Sequence, residues 1–218
     1  NVWLAGLTSA SVETTTSTST GVNVDNVIVE AVPKVRGDLN SLTVWKISLS
    51  GELLATYSES ATAPLLITAI SHSANGISIL GDRGSGNVLV SMTLAGKFSR
   101  TVTIGSAKTS LTSIFRNADG SAQMYGSSTE TLGGKARVGT RDGVLVKVNK
   151  TGSLTSVVRS SINRGVRNWQ GATSTYFLTG EVKAGGKSES AFTKFNSSFA
   201  PVWTLRLPSQ SSIAAATG

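Results

Sequence analysis

The sequence predicts an all-β chain, one domain over 1–218, made of four units of four antiparallel strands. Three observations carry this reading. Two segment types each recur four times, turn dipeptides separate them, and the two chain ends read as parts of one unit.

The first segment type covers Leu42–Gly51, Val88–Gly96, Gly143–Gly152 and Ala191–Phe199. Each alternates apolar and polar residues, the period of a strand with one buried face, and closes in a turn. Lys46, Ser91, Lys147 and Lys194 share one position, at intervals of roughly fifty residues. A further strand follows each segment, over Glu52–Tyr57, Phe98–Ile104, Leu154–Arg159 and Val202–Leu207. The second type is a short apolar strand closed by glycine: Trp3–Gly6, Ile79–Gly81, Met124–Gly126 and Phe177–Gly180. Another strand runs into three of these, over Leu66–Ser73, Leu111–Arg116 and Val166–Gly171. Asn75-Gly76 and Asp119-Gly120 supply the positive φ that a tight hairpin needs, and Thr173-Ser174 is the corresponding turn of the last unit.

Such a unit cannot bury both of its faces alone. Stacking units around an axis solves this, so the predicted architecture is β-propeller-like. The chain starts on a second strand, Val2–Gly6, and ends on what reads as a first strand, Ser212–Gly218. One blade is therefore expected to be completed by both termini. A segment of a larger seven- or eight-bladed propeller would show the same pattern.

In Asp142–Gly152, an Asp-Gly pair precedes an apolar strand with Lys147 inside it and a glycine at its end. Trp203 stands in the strand that follows the corresponding segment of the last unit. This pattern resembles a bacterial β-propeller repeat family of exported proteins. The other units lack the Asp-Gly pair, and Ser91 replaces the lysine. The resemblance implies a propeller scaffold in an extracellular setting and assigns no activity.

Composition narrows the chemistry. There is no cysteine, which excludes disulfides, thiolate metal sites and a cysteine nucleophile. The single histidine, His72, lies in an alternating strand with no Gly-x-Ser-x-Gly motif to make a hydrolase triad. No metal or cofactor is expected. The net charge of +8 favours acidic partners, such as an anionic glycan or another cell-envelope polymer. The densest basic arrays, Lys135/Arg137/Arg141 and Arg159/Arg164/Arg167, are not interleaved with aromatics, so nucleic acid is not expected. No apolar run is long enough to span a bilayer. The chain begins at Asn1 without a signal peptide, which reads as a processed or excised fragment of an extracellular or cell-surface protein.

The units differ most in their insertions. The longest covers 7–41, with Ser/Thr-rich Thr8–Thr20 followed by Val22–Val35, whose alternation suits an added hairpin; 127–141 and 181–190 are the others. These loops share a face with the inter-blade connections, where propellers usually bind. Asp82, Arg83, Arg141, Asp142, Arg164, Arg167 and Trp169 are the candidate ligand contacts there. Arginine forks suit carboxylate, phosphate or hydroxyl groups, and Trp169 offers a ring for a sugar. No catalytic residue stands out. The expected function is a non-enzymatic binding or structural scaffold module, whose partners include other domains or copies of the chain. The alternative is a carbohydrate-active enzyme using carboxylates of the loop face, among them Asp25, Asp38, Asp82, Asp142 and Glu181.

Overall fold

The computed structural model describes residues 1–9, 39–61, 63–174 and 176–208, together with the backbone of 21–22 and 28–29. Regular structure among them is strand throughout: β1 (Val2–Thr8), β2 (Gly21–Val22), β3 (Ile28–Val29), β4 (Ser41–Ile47) and β5 (Leu53–Ser60) come first. Then follow β6 (Leu66–Ser73), β7 (Gly76–Asp82), β8 (Asn87–Met92), β9 (Phe98–Ile104), β10 (Thr109–Arg116), β11 (Ala122–Ser128) and β12 (Asp142–Val148). The last are β13 (Leu154–Ser160), β14 (Val166–Ser174), β15 (Phe177–Ala184), β16 (Lys187–Phe195) and β17 (Pro201–Pro208).

They form four propeller-like antiparallel sheets in chain order. Sheet 1 holds β1, β4 and β5; sheets 2, 3 and 4 hold β6–β9, β10–β13 and β14–β17. The expected partner strand of β1, at 212–217, lies outside the described residues, as does most of the 7–41 insertion. Within that insertion, β2 and β3 form a two-residue antiparallel ladder, Gly21 opposite Val29 and Val22 opposite Ile28.

The repeat has a physical cause at two places. Gly81, Gly126 and Gly180 each lie opposite a register break in the first strand of their sheet. The break brings main chain close over the glycine. A Cβ at Gly126 would collide with the Ser110 carbonyl, and one at Gly180 with that of Asn168. The second place is the turn after the third strand. There Gly51, Gly96 and Gly152 stand at φ 90°, 84° and 77°, each donating its N–H to the carbonyl three residues back. A side chain closes the same turn from inside: Ser48, Thr93, Asn149 and Asn196 each accept from backbone N–H groups ahead of them. Asn149 and Asn196 are thus turn formers.

Several strands run a few residues beyond their expected ends, and at two places this changes the reading. β14 continues through Ser174, so Thr173 and Ser174 are strand rather than turn. The 181–190 insertion is not a loop but an extension of β15 and β16, closed by Gly185 and Gly186 at φ 56° and 77°. Two successive left-handed residues match the twist of the flanking strands, so the hairpin lengthens instead of opening.

Each pair of consecutive sheets encloses one apolar cluster. Val44, Ile77, Ile79 and Val90 are central to seam 1/2, and Leu80, Leu89, Met124 and Val146 to seam 2/3. Tyr125, Leu145, Trp169 and Leu178 are central to seam 3/4. Burying each such side chain contributes about 1.5–3 kcal/mol. The later sheet's first strand makes every seam, with β6 on β1, β10 on β6 and β7, and β14 on β10, β11 and β12.

Candidate functional site

Registers across the repeat put three pairs of residues in equivalent places at one end of the three seams. Thr43, Val88 and Val144 pair with Gly6, Gly81 and Gly126, so Leu42, Asn87 and Gly143 are equivalent. Ile67, Leu111 and Trp169 pair with Gly81, Gly126 and Gly180, so Leu65, Thr109 and Arg167 are equivalent. The three seams thus carry Leu42 with Leu65, Asn87 with Thr109, and Gly143 with Arg167.

Seam 1/2 is closed by apolar contact, since Leu42 and Leu65 are both buried in its cluster. Seam 2/3 is closed by hydrogen bonds. Asn87 Nδ2 donates to the carbonyls of Thr109 (2.8 Å) and Ile104 (3.3 Å), and its Oδ1 accepts from Leu111 N–H at 2.9 Å. Seam 3/4 has no such side-chain latch and is bridged by main chain, with Arg167 N–H donating to the Arg141 carbonyl at 2.9 Å and Thr140 N–H to the Gly165 carbonyl at 2.8 Å. Gly143 has no side chain to latch it, and a Cβ there would collide with the Trp169 indole Nε1. The glycine makes room for an indole where seam 2/3 has Leu111.

What remains is a cleft of about 270 Å³. Leu145, Val158, Trp169, Phe195, Phe199 and Pro201 make its apolar wall; Arg159, Ser160, Ser161 and Arg167 make its polar side. Phe199 is in the left-handed region at φ 63°, where the other three units have glycine. That conformation costs a non-glycine residue about 1–2 kcal/mol. The ring is nevertheless buried, stacked on Phe195 at 5.0 Å and on Tyr125 at 5.8 Å.

Arg167 is the electrostatic centre of the cleft. It is 9% exposed, and its Nε and Nη1 are buried with no hydrogen-bond partner. Burial, with a smaller contribution from Arg206, pushes its pKa down to about 10, so it stays charged at neutral pH. Its guanidinium carbon sits 5.4 Å from the Trp169 ring centroid, which offsets part of the desolvation. Two neighbouring cations are already matched. Arg159 Nη1 lies 3.2 Å from Asp142 Oδ2, and Arg206 Nη1 lies 3.5 Å from Glu189 Oε2.

The other candidates divide clearly. Asp142 is wholly buried and structural, accepting from Val138 N–H (2.9 Å), Gly139 N–H (2.8 Å) and Arg159. Trp169 is 1% exposed, so it is a wall of the seam and not an open stacking platform. Arg141 and Arg164 are exposed near the same end of seam 3/4. Arg141 gives its carbonyl to Arg167 N–H, and Arg164 occupies a tight turn at φ 56°. Asp82 and Arg83 lie apart, at the corresponding end of sheet 2, where Asp82 accepts from Gly84 N–H at 2.7 Å. Glu181 is engaged by Lys183 (3.0 Å) and Ser188 (2.8 Å). Asp25 and Asp38 lie outside the described residues. Of the cleft residues, the sequence singles out only Arg167 and Trp169; Gly143, Leu145, Val158, Arg159, Ser160, Ser161, Phe195, Phe199 and Pro201 are not among the candidates. Two of them carried a signal: Phe199 replaces a turn glycine, and Gly143 replaces a larger residue at a seam position.

Among the described residues no group of three or more His, Cys, Asp or Glu side chains is placed to hold a metal ion. None of them forms a helix long and apolar enough to cross a membrane. The structure is that of a propeller-like repeat protein with a cleft of about 270 Å³ in seam 3/4 beside a buried guanidinium, and a second cleft of about 310 Å³ in seam 1/2 lined by Trp3, Lys46 and His72. No protein-family model matches the chain, and no curated protein is similar to it.

Proposed function

We propose that this chain is a non-catalytic binding module working at a bacterial cell surface or in an extracellular assembly, with the seam 3/4 cleft as its recognition site for an acidic ligand. The observation that carries the reading is Arg167, a cleft-lining residue whose guanidinium is buried with two nitrogens unpartnered. Unpaired buried charge is normally removed from a fold, and its retention beside an open space points to a ligand that completes it. The cleft lining contains no Asp, Glu or His, the groups that general acid–base chemistry would draw on. The repeat scaffold, the absence of cysteine, the net charge of +8 and the resemblance to exported propeller repeats support the extracellular setting and an envelope-derived acidic partner.

A binding screen of the full chain against acidic and neutral glycans and small acids, in parallel with Arg167→Met, tests this. Retention of acidic ligands by the parent chain and their loss from the variant is the expected result. Turnover of a glycosidic or ester substrate that disappears on changing a single carboxylate would replace this reading with an enzymatic one.

A further inference from the structure

We infer that the seam 3/4 cleft selects a single carboxylate carried on a compact apolar body, an aryl- or arylalkyl-carboxylate in size and polarity; this rests on the binding reading above. Three features of the cleft lead there. The first is charge. Arg167 is the one lining cation without a matched anion, because Arg159 is paired with Asp142 at 3.2 Å, while nearby Arg206 is paired with Glu189 at 3.5 Å. One uncompensated positive charge balances a monoanion. A phosphate dianion would bring a second negative charge into a low-dielectric site with nothing to meet it.

The second feature is the wall. Leu145, Val158, Phe195, Phe199 and Pro201 offer carbon surface opposite the guanidinium, with Ser160 and Ser161 as the hydroxyls lining the cleft. A sugar ring would bury more hydroxyls than those two groups satisfy, and each unsatisfied one is costly. An aromatic or branched apolar body loses nothing there. The third feature is size. A cavity of about 150 Å³ holds a benzene, so about 270 Å³ accommodates one ring together with a short acid arm. The strained Phe199 fits the same picture. A glycine at that turn would relieve the backbone but remove the ring that closes the apolar end.

The natural source is either a free small acid or an acid-bearing group on an envelope polymer, and both present the same chemistry. Isothermal titration calorimetry of the full 218-residue chain separates the cases, using 3-phenylpropionate, its neutral amide, inorganic phosphate and an oligogalacturonate. The expected result is saturable binding of 3-phenylpropionate, at least about tenfold weaker binding of the amide, and at least about tenfold loss of the acid in Arg167→Met. The acid–amide comparison uses the parent chain, so it decides even where the variant does not fold. Phosphate or oligogalacturonate binding as tightly as phenylpropionate, and depending on Arg167, overturns the carboxylate-on-carbon class while the acidic-ligand reading stands. If no acid binds in an Arg167-dependent way, both fall.

Discussion

Seams 2/3 and 3/4 are built from the same repeat, yet one is latched by a side chain and the other by main chain with a cleft beside it. In seam 2/3, Asn87 reaches across and satisfies Thr109, Ile104 and Leu111 main-chain groups. Thr109 in turn donates through Oγ1 to Glu130 at 2.5 Å and lies 3.0 Å from Ser128 Oγ. In seam 3/4, the equivalent residues are Gly143 and Arg167, which leave a space and an unpartnered charge. The lesson is that a repeat makes its own control. A fold that latches this junction with Leu/Leu or Asn/Thr carries here a pair that leaves a cleft beside it.

The largest expected effect concerns the pair beneath the cleft. Asp142→Ala removes the counter-charge of Arg159, which keeps its bonds to the Lys135 and Glu130 carbonyls, and leaves two N–H groups unpaired, which costs about 3–5 kcal/mol in denaturant unfolding. Next is the side-chain-latched seam itself. Asn87→Ala leaves one buried N–H and two carbonyls short of partners and lowers stability by about 2–3 kcal/mol. In seam 3/4 the corresponding change runs the other way for function. Gly143→Ala drives a methyl group against Trp169, costs about 1–3 kcal/mol by overpacking, and abolishes acid binding in calorimetry. If Gly143→Ala binds as well as the parent, the cleft lies elsewhere.

The smallest effect is a pH dependence confined to seam 2/3. Burial raises the pKa of Glu130, but hydrogen bonds from Ser106 and Thr109, with nearby Lys108, outweigh it and hold the carboxyl below its ordinary value. A depressed folded pKa contributes stability that is complete above the unfolded value of about 4.3 and is lost as pH falls through the folded value. The gap in melting temperature between the parent and Glu130→Gln should therefore shrink as pH falls below about 4.3. A gap that stays constant over that range contradicts the assignment.

Much of the scaffold was legible because its signals are local. Strands β6 and β9 have the bounds their alternation predicts, and Lys46, Ser91, Lys147 and Lys194 do share one register position, each opposite the residue three before the repeat glycine. The site was legible only in part. Arg167 and Trp169 stood out by residue type, but their neighbours come from β12, β13 and the β16–β17 turn, and only packing brings them together. Asp142 looked like a ligand contact because acidic residues in loops often are. Burial beside Arg159 makes it part of the frame instead. The meaning of Gly143 depends on what the other units have at its position, so it appears only once the registers are known.

A residue kept for a partner from outside the chain differs from a structural one in what it does to the empty protein, and Arg167 is the residue to ask. The direct measurement is the unfolding free energy of Arg167→Met without ligand, by chemical denaturation. A guanidinium that nothing in the fold neutralises is a burden to the empty protein, so the variant should match the parent or exceed it by up to about 1 kcal/mol. A loss of about 2 kcal/mol or more, comparable to Asn87→Ala, would show that Arg167 closes its seam as Asn87 does.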